Sequence, residues 1–251
     1  MKSMYRSAYD LKAFYNTKTG RVVRRILQSR LRAIWPDLNG LLVMGVGYAT
    51  PFLRVFMDEA ERLSAVMPAA QGAHIWPHKT NICEQNRVCI AEESELPYEN
   101  SSVDRILMIH HLEFSEFLQA SLEEVWRVLK ANGRVLVVVP NRSGLWARAD
   151  WSPFGQGTPY SAAQIVHYLH DNKFVHEQTE EGLFMPPLKQ GFILKSARLF
   201  ENLGQTAFPM VAGVHIVEAS KQLYARINTS SGSKVTVRGR GFVPRSAPQR
   251  P

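Results

Sequence analysis

LLVMGVGYATPFL, residues 41–53, is the stretch on which the reading of this chain turns. An apolar run from Leu41 to Met44 leads straight into Gly45-Val46-Gly47-Tyr48-Ala49. Small residues at alternate positions after a strand-like run are how an α/β protein lets a ligand approach its backbone. A phosphate-gripping loop needs Gly-Lys-Ser/Thr after four spacer residues, and none is present. A dinucleotide fingerprint needs a third Gly or Ala where Thr50 stands. What remains, Gly-x-Gly-x-Ala, suits close approach to a bulky, uncharged group, and it equally suits a structural turn.

The segments around it alternate between apolar strands and helical patterns. The pattern predicts a helix after the glycine loop to about residue 60, then strands at RLSAVM (62–67), RVCIA (87–91) and RILMIHH (105–111). A helix is expected over about 115–130, ended by Ala131-Asn132-Gly133 with Gly133 in the left-handed conformation. RVLVVVP (134–140) is nearly all apolar, as a parallel strand covered on both faces should be. A helix at 161–172, a strand from Lys173, a helix near 192–204 and a last strand near 213–219 follow. The expected fold is α/β: a Rossmann-like, doubly wound, mostly parallel seven-stranded sheet with helices on both faces. Right-handed crossovers would bring the loops after the strand ends to one edge, where ligands sit.

Upstream, residues 10–34 read as a short helix, a turn at Lys18-Thr19-Gly20 and a longer helix. Val22/Val23, Ile26/Leu27, Leu31 and Ile34 form its apolar stripe, with Arg24, Arg25, Arg30 and Arg32 mostly off it. Three parts are expected: a basic helical arm (1–35), the main domain (36–228) and a disordered basic tail (229–251) rich in Ser, Gly, Pro and Arg. The arm would either grip phosphate or an acidic partner, or pack on the domain with its arginines in water.

Bulk properties narrow the function classes. Of 251 residues, 45% are hydrophobic and 21% charged, ordinary for a soluble globular chain. The net charge of +8 sits at the ends: residues 1–32 hold nine Lys/Arg against one Asp, and residues 230–251 hold five and no acid. The stretch between is net negative, so the body advertises no nucleic-acid-binding face, and RNA binding through the basic ends is the weakest reading. No apolar run is long enough for a membrane span. MKSMYRSAYDLKAFY lacks the apolar core of a secretory signal. Two cysteines, Cys83 and Cys89, in one polar segment form neither a disulfide framework nor a zinc site, which fits a reducing, cytoplasmic setting. No metal site is expected.

Taken in order, the glycine loop, ELPYENSSVDRILMIHHLE and LEEVWRVLKANGRVLVVVPN resemble the class I S-adenosylmethionine-dependent methyltransferases, in the branch called methyltransferase type 11. Leu96-Pro97 and Val103-Asp104 stand where that family has Leu-Pro and then Phe-Asp opening the fourth strand. Glu123 to Gly133 resembles its Glu-x-x-Arg-Val-Leu-Lys-x-Gly-Gly, with Asn132 for the first Gly. His110-His111-Leu112-Glu113 looks like its His-x-Leu-Glu. The resemblance covers roughly 36–175.

It implies a methyltransferase with S-adenosyl-L-methionine as cofactor, held by Gly45, Val46, Gly47, Tyr48 and Ala49, by the second strand's end at Met67, and by Glu92 and Glu93. Glu92 falls where the family places the carboxylate that accepts from the adenine amino group, and a carboxylate there offers no competing donor. It is equally a solvated charge beside Glu93 and Glu95. Two departures stand out. Val43 replaces an acid before the first glycine, and Met67, followed by Pro68, replaces the acid that holds the ribose diol, with Gln71 as a neutral substitute nearby. Losing such a charged hydrogen bond costs on the order of 1.5–3 kcal/mol.

Methyl transfer asks little of side chains beyond in-line placement, and a base only where the acceptor must lose a proton. His110 and His111 at the fourth strand's exit are the catalytic candidates, and both are as readily packing residues. The 141–160 loop interleaves Trp146, Trp151, Phe154 and Tyr160 with Arg142 and Arg148, as a lid over an acceptor or as a self-packed loop. The expected acceptor is a small molecule. The alternative is a weakly active or inactive member of the fold serving as a protein partner or regulatory subunit.

Overall fold

The computed structural model describes residues 7–77, 85–188, 201 and 212–222. The expected helix near 192–204, Glu201 apart, and the basic tail lie outside these residues.

The chain opens with two helices, α1 (Ala8–Asn16) and α2 (Lys18–Ile34). The break is tighter than the expected turn at 18–20. Thr17 alone separates them: its side chain accepts from Gly20 N–H as the N-cap of α2, while its backbone N–H closes α1 on Phe14 O. Gly20 is needed here, because a Cβ would collide with Phe14 O.

Seven strands form one sheet in the order β3-β2-β1-β4-β5-β7-β6. They are β1 (Leu42–Gly47), β2 (Arg62–Pro68), β3 (Val88–Ala91), β4 (Val103–Ile109), β5 (Leu129–Pro140), β6 (Phe174–Gly182) and β7 (Val214–Lys221). The first five run parallel, whereas β7 pairs antiparallel with both β5 and β6. The sheet is therefore mixed: mostly parallel, as expected, with β7 antiparallel at one edge.

Period-two alternation sends successive side chains to two cores. Val43, Ala65, Met67, Leu107, Ile109, Leu136 and Val138 meet α1, α2 and α3 (Thr50–Leu53) on one face. Met44, Val46, Val66, Met108, Val135 and Val137 meet α4 (Leu118–Val128) and α5 (Ala162–Asp171) on the other. Val23, Leu27 and Leu31 of α2 are fully buried, so the basic helix packs on the domain.

Two local expectations need correction. The helix after the glycine loop shrinks to α3 and a 3-10 turn at Arg54–Phe56. Pro51 is tolerated there only because it falls in the first turn. α4 ends at Val128 with Leu129 already extended, not at Ala131-Asn132-Gly133, which falls within β5; there the left-handed residue is Asn132 (φ 61°), not Gly133, whose added Cβ would meet Leu129 Cγ at 2.7 Å. Asn tolerates that conformation, which leaves the glycine to serve close packing.

The spacing between the Leu-Pro segment and α4 has a physical basis. Glu124 accepts from Leu96 N–H, and Arg127 pairs with Glu124 while donating to Leu96 O, Tyr98 O and Asn100 Oδ1. One ion pair thus pins the 96–100 loop beneath the sheet's fourth strand. Asp104 is structural as well, accepting from Leu42 N–H and Lys130 Nζ.

Candidate functional site

The parallel strands end at one edge, and four exits converge there: Tyr48-Ala49 after β1, Gln71 after β2, His110-His111 after β4 and the 141–160 loop after β5. In a doubly wound sheet this is where ligands bind, at the point where strand order reverses. Here the reversal lies between β1 and β4.

Gly45 and Gly47 make the crossing tight. A Cβ on Gly45 would meet Ala49 Cβ at 2.5 Å and Leu53 Cδ1 at 2.7 Å, so this glycine lets α3 seat against β1. Gly47 has φ 80° and lies against the β4 exit, where a Cβ would meet Ile109 O at 2.6 Å. Val46 points into the opposite core and Ala49 is fully buried.

His110 and His111 point to opposite faces. His110 is completely buried: Nε2 lies 2.6 Å from Tyr15 Oη and Nδ1 lies 3.0 Å from Glu113 Oε1. The tautomer consistent with an ionised Glu113 puts the proton on Nδ1, so that Tyr15 donates to Nε2. Burial, with Tyr48 and Glu113 nearby, raises the Tyr15 pKa well above the usual phenol value. His110 also has φ 52°, a left-handed conformation that costs energy for any residue with a side chain.

His111 turns toward α4, where Nε2 meets Ser121 Oγ at 2.7 Å. Burial pushes its pKa down, with Glu93 and Glu113 pulling weakly the other way. In the unfolded chain it titrates near 6.5, whereas the folded protein keeps it neutral to lower pH. Its contribution to stability is therefore present above about pH 6.5 and is lost as pH falls below that value. Wild-type unfolding midpoints should drop more between pH 6.5 and 5 than those of His111→Gln. Parallel profiles for the two proteins would count against this assignment.

The two acidic candidates separate. Glu92 is exposed at the β3 exit, whereas Glu93 is buried and its Oε1 accepts from Phe117 N–H. Phe117 is the N-cap of α4 and makes no side-chain cap bond. A distant carboxylate thus serves that helix start, where negative charge is favoured.

The aromatic loop after β5 packs inward. Trp146 is fully buried and donates to Met185 O, and Phe154 lies 5.0 Å from the His110 ring. The spacing of Trp and Phe residues was visible in the sequence; their partners across the domain were not.

An adenosyl group at this edge would need an open bed across the β1 and β2 exits. The residues present fill that bed. Tyr48 is 2% exposed, stacks on Tyr15 (5.9 Å, 9° between planes) and meets the tilted His74 ring at 5.4 Å. Met67 is completely buried. Gln71 Nε2 donates to His110 O at 3.0 Å, a side-chain bridge from the β2 exit to the β4 exit directly over β1. The fold and glycine loop suit such a group, but the side chains in this arrangement do not.

Residues 43–137 match the family model described as methyltransferase domain. No curated protein sequence matches the chain. Among solved structures, a SAM-dependent methyltransferase from Archaeoglobus fulgidus superposes with TM-score 0.55 at 17% identity, over 79% of this chain and 94% of that one. A methyltransferase of Haloferax volcanii in complex with its activator Trm112 gives 0.56 at 14% identity, over 79% and 91%. Geranyl diphosphate C-methyltransferase of Streptomyces coelicolor A3(2), in complex with S-adenosyl-L-homocysteine, gives 0.52 at 14%, over 78% and 80%. The likeness read from the sequence to the methyltransferase type 11 family holds over residues 43–137, and the solved structures share the fold of this chain.

Proposed function

Because residues 43–137 carry a methyltransferase domain of the class I, type 11 kind, we propose that this chain is an S-adenosylmethionine-dependent methyltransferase acting on a small-molecule acceptor. The observation that carries the reading is the glycine crossing itself. Gly45 and Gly47, both buried, seat α3 on β1 and β1 against the β4 exit at the point where strand order reverses, the ligand-binding point of this architecture.

In this reading Gly45–Ala49 and Glu92 would hold the cofactor once the side chains over β1 make way, and Gln71, released from His110 O, would be the neutral partner for its ribose hydroxyls. When bound, S-adenosylmethionine supplies an activated methyl group. The chain's part is to place the acceptor in line and exclude water. His110 is a positioning residue, because both ring nitrogens are already engaged and it is fully buried. The loop at 141–160, anchored through Trp146, roofs the acceptor side. A small acceptor is favoured over nucleic acid by the net negative body between the basic ends. The activator bound to the Haloferax volcanii methyltransferase leaves room for a protein partner in this chain's activity.

Titration with S-adenosylhomocysteine by calorimetry tests the reading. Saturable one-to-one binding is expected, weakened about ten- to hundredfold relative to a site that keeps the ribose carboxylate. An absence of saturable binding up to millimolar concentration, in the wild type and in variants that open the bed, would sink it.

A further inference from the structure

Tyr48, Gln71 and His110, which close the bed over β1, share one neighbour, α1. α1 is the only described helix that reaches all four converging exits. Its first amide, Ala8 N–H, donates to Gln71 O at 2.8 Å. At its other end Tyr15 stacks on Tyr48, meets Phe52 edge-on at 5.3 Å and bonds His110 at 2.6 Å. Phe14, beside it, contacts Phe154 and Trp151 of the loop after β5. We infer that α1 is an autoinhibitory plug: it holds the cofactor bed shut through Tyr15 and Gln71, and it must withdraw before S-adenosylmethionine can enter. This rests on the methyltransferase reading and specifies how that site is controlled.

The shut arrangement carries unspent polar capacity. Gln71 is 2% exposed and its Oε1 has no hydrogen-bond partner. Glu113 is likewise 2% exposed, and its Oε2 is without one. Thr50 Oγ1, fully buried at the start of α3, is also without one. Buried acceptors left unpaired are costly, and native structures keep few of them without a reason. A ligand bearing hydroxyl and ammonium donors would satisfy such atoms once the helix is out of the way.

The plug also holds a strained element. His110 is kept at φ 52° by three contacts: Tyr15 on Nε2, Glu113 on Nδ1 and Gln71 on its carbonyl. Two of the three depend on α1, directly through Tyr15 or through Gln71, whose backbone α1 grips. Losing them frees the β4 exit to relax, which makes the closed state one of two self-consistent packings. Apparent affinity for a ligand of the open state is reduced by the fraction of molecules that are open.

Calorimetric titration with S-adenosylhomocysteine should therefore show Tyr15→Ala binding at least about tenfold more tightly than wild type. Tyr15→Phe keeps the ring stack and loses the bond to His110, so it should fall between the two. Tyr9→Ala, on the exposed side of the same helix, should leave affinity unchanged. Hydrogen exchange of the wild-type chain at millimolar S-adenosylhomocysteine provides a readout that depends on no variant: amides of residues 8–16 should exchange faster with ligand than without. Protection of those amides on binding, or tighter binding by wild type than by Tyr15→Ala, would overturn the plug and leave the methyltransferase reading intact, with α1 as part of the site. Binding by none of the proteins, with no exchange response, would overturn both.

Discussion

Gly47→Val is expected to lower stability by about 3–5 kcal/mol, the sum of placing a β-branched residue at a left-handed position and of overpacking a tight contact. The residue sits at φ 80°, and a Cβ there would lie 2.6 Å from Ile109 O, 2.7 Å from His111 Cβ and 3.0 Å from His110 O. Two of those atoms are backbone, so relief requires β1 and β4 to part at the crossing. For a protein of this size that cost corresponds to a fall in the thermal midpoint of roughly 10 °C. Differential scanning calorimetry checks it. A shift below about 2 °C would mean the two exits yield easily, and the tight seat of the glycine loop would have to be abandoned.

Trp146→Ala is expected to cost a comparable amount, about 3–5 kcal/mol from the lost packing of a fully buried indole. A further ~1 kcal/mol or more comes from leaving Met185 O without its donor. Trp146 packs against Trp151 and Phe154, and its Cδ1 lies so close to Gly213 that no Cβ fits there. The substitution therefore loosens the loop after β5, the 183–185 segment and the approach to β7 together. Urea unfolding followed by circular dichroism should show a lower midpoint. Trp146→Phe should recover much of the packing but not the hydrogen bond. Equal midpoints for wild type and Trp146→Ala would mean that the loop is not anchored by this residue.

Much of the fold was legible because burial on two faces leaves a simple trace. Val135, Val137 and Val139 serve one core and Leu136 and Val138 the other, so β5 reads as an unbroken apolar run. β3 was harder, since it is a four-residue edge strand with Ile90 exposed. The direction of β7 left no mark, because antiparallel and parallel strands buried on both faces have the same composition. Asn132 and Gly133 looked like the stop of α4, but the helix ends at Val128 and both lie within β5, where Asn132 alone turns left-handed.

The site was legible in part. The glycine loop and the paired histidines follow β1 and β4, and the order of strands in the sequence placed them at one edge; the acidic pair separates, with Glu92 exposed and Glu93 turned to α4. What closes that edge was not legible. Tyr15 stands 95 residues before His110, in a short helix whose sequence, AYDLKAFYN, carries only an amphipathic pattern. Periodicity says that such a face is buried and is silent about what it covers. Glu93 was read as a cofactor residue, and its bond to the start of α4 was not legible for a related reason: a carboxylate 24 residues upstream stands in for a local cap.

The antiparallel course of β7 has a practical corollary. It pairs Val214 with Pro140 and Ser220 with Arg134, so it descends from the ligand edge to the opposite rim, where Lys221 Nζ donates to Trp126 O and Leu129 O. Ser7, by contrast, caps α1 beside Gln71. A fluorophore attached at position 222 sits a full strand's length from the mouth of the crevice, so it reports on the far rim, while one attached at Ser7 sits beside the β2 exit and reports on the mouth itself.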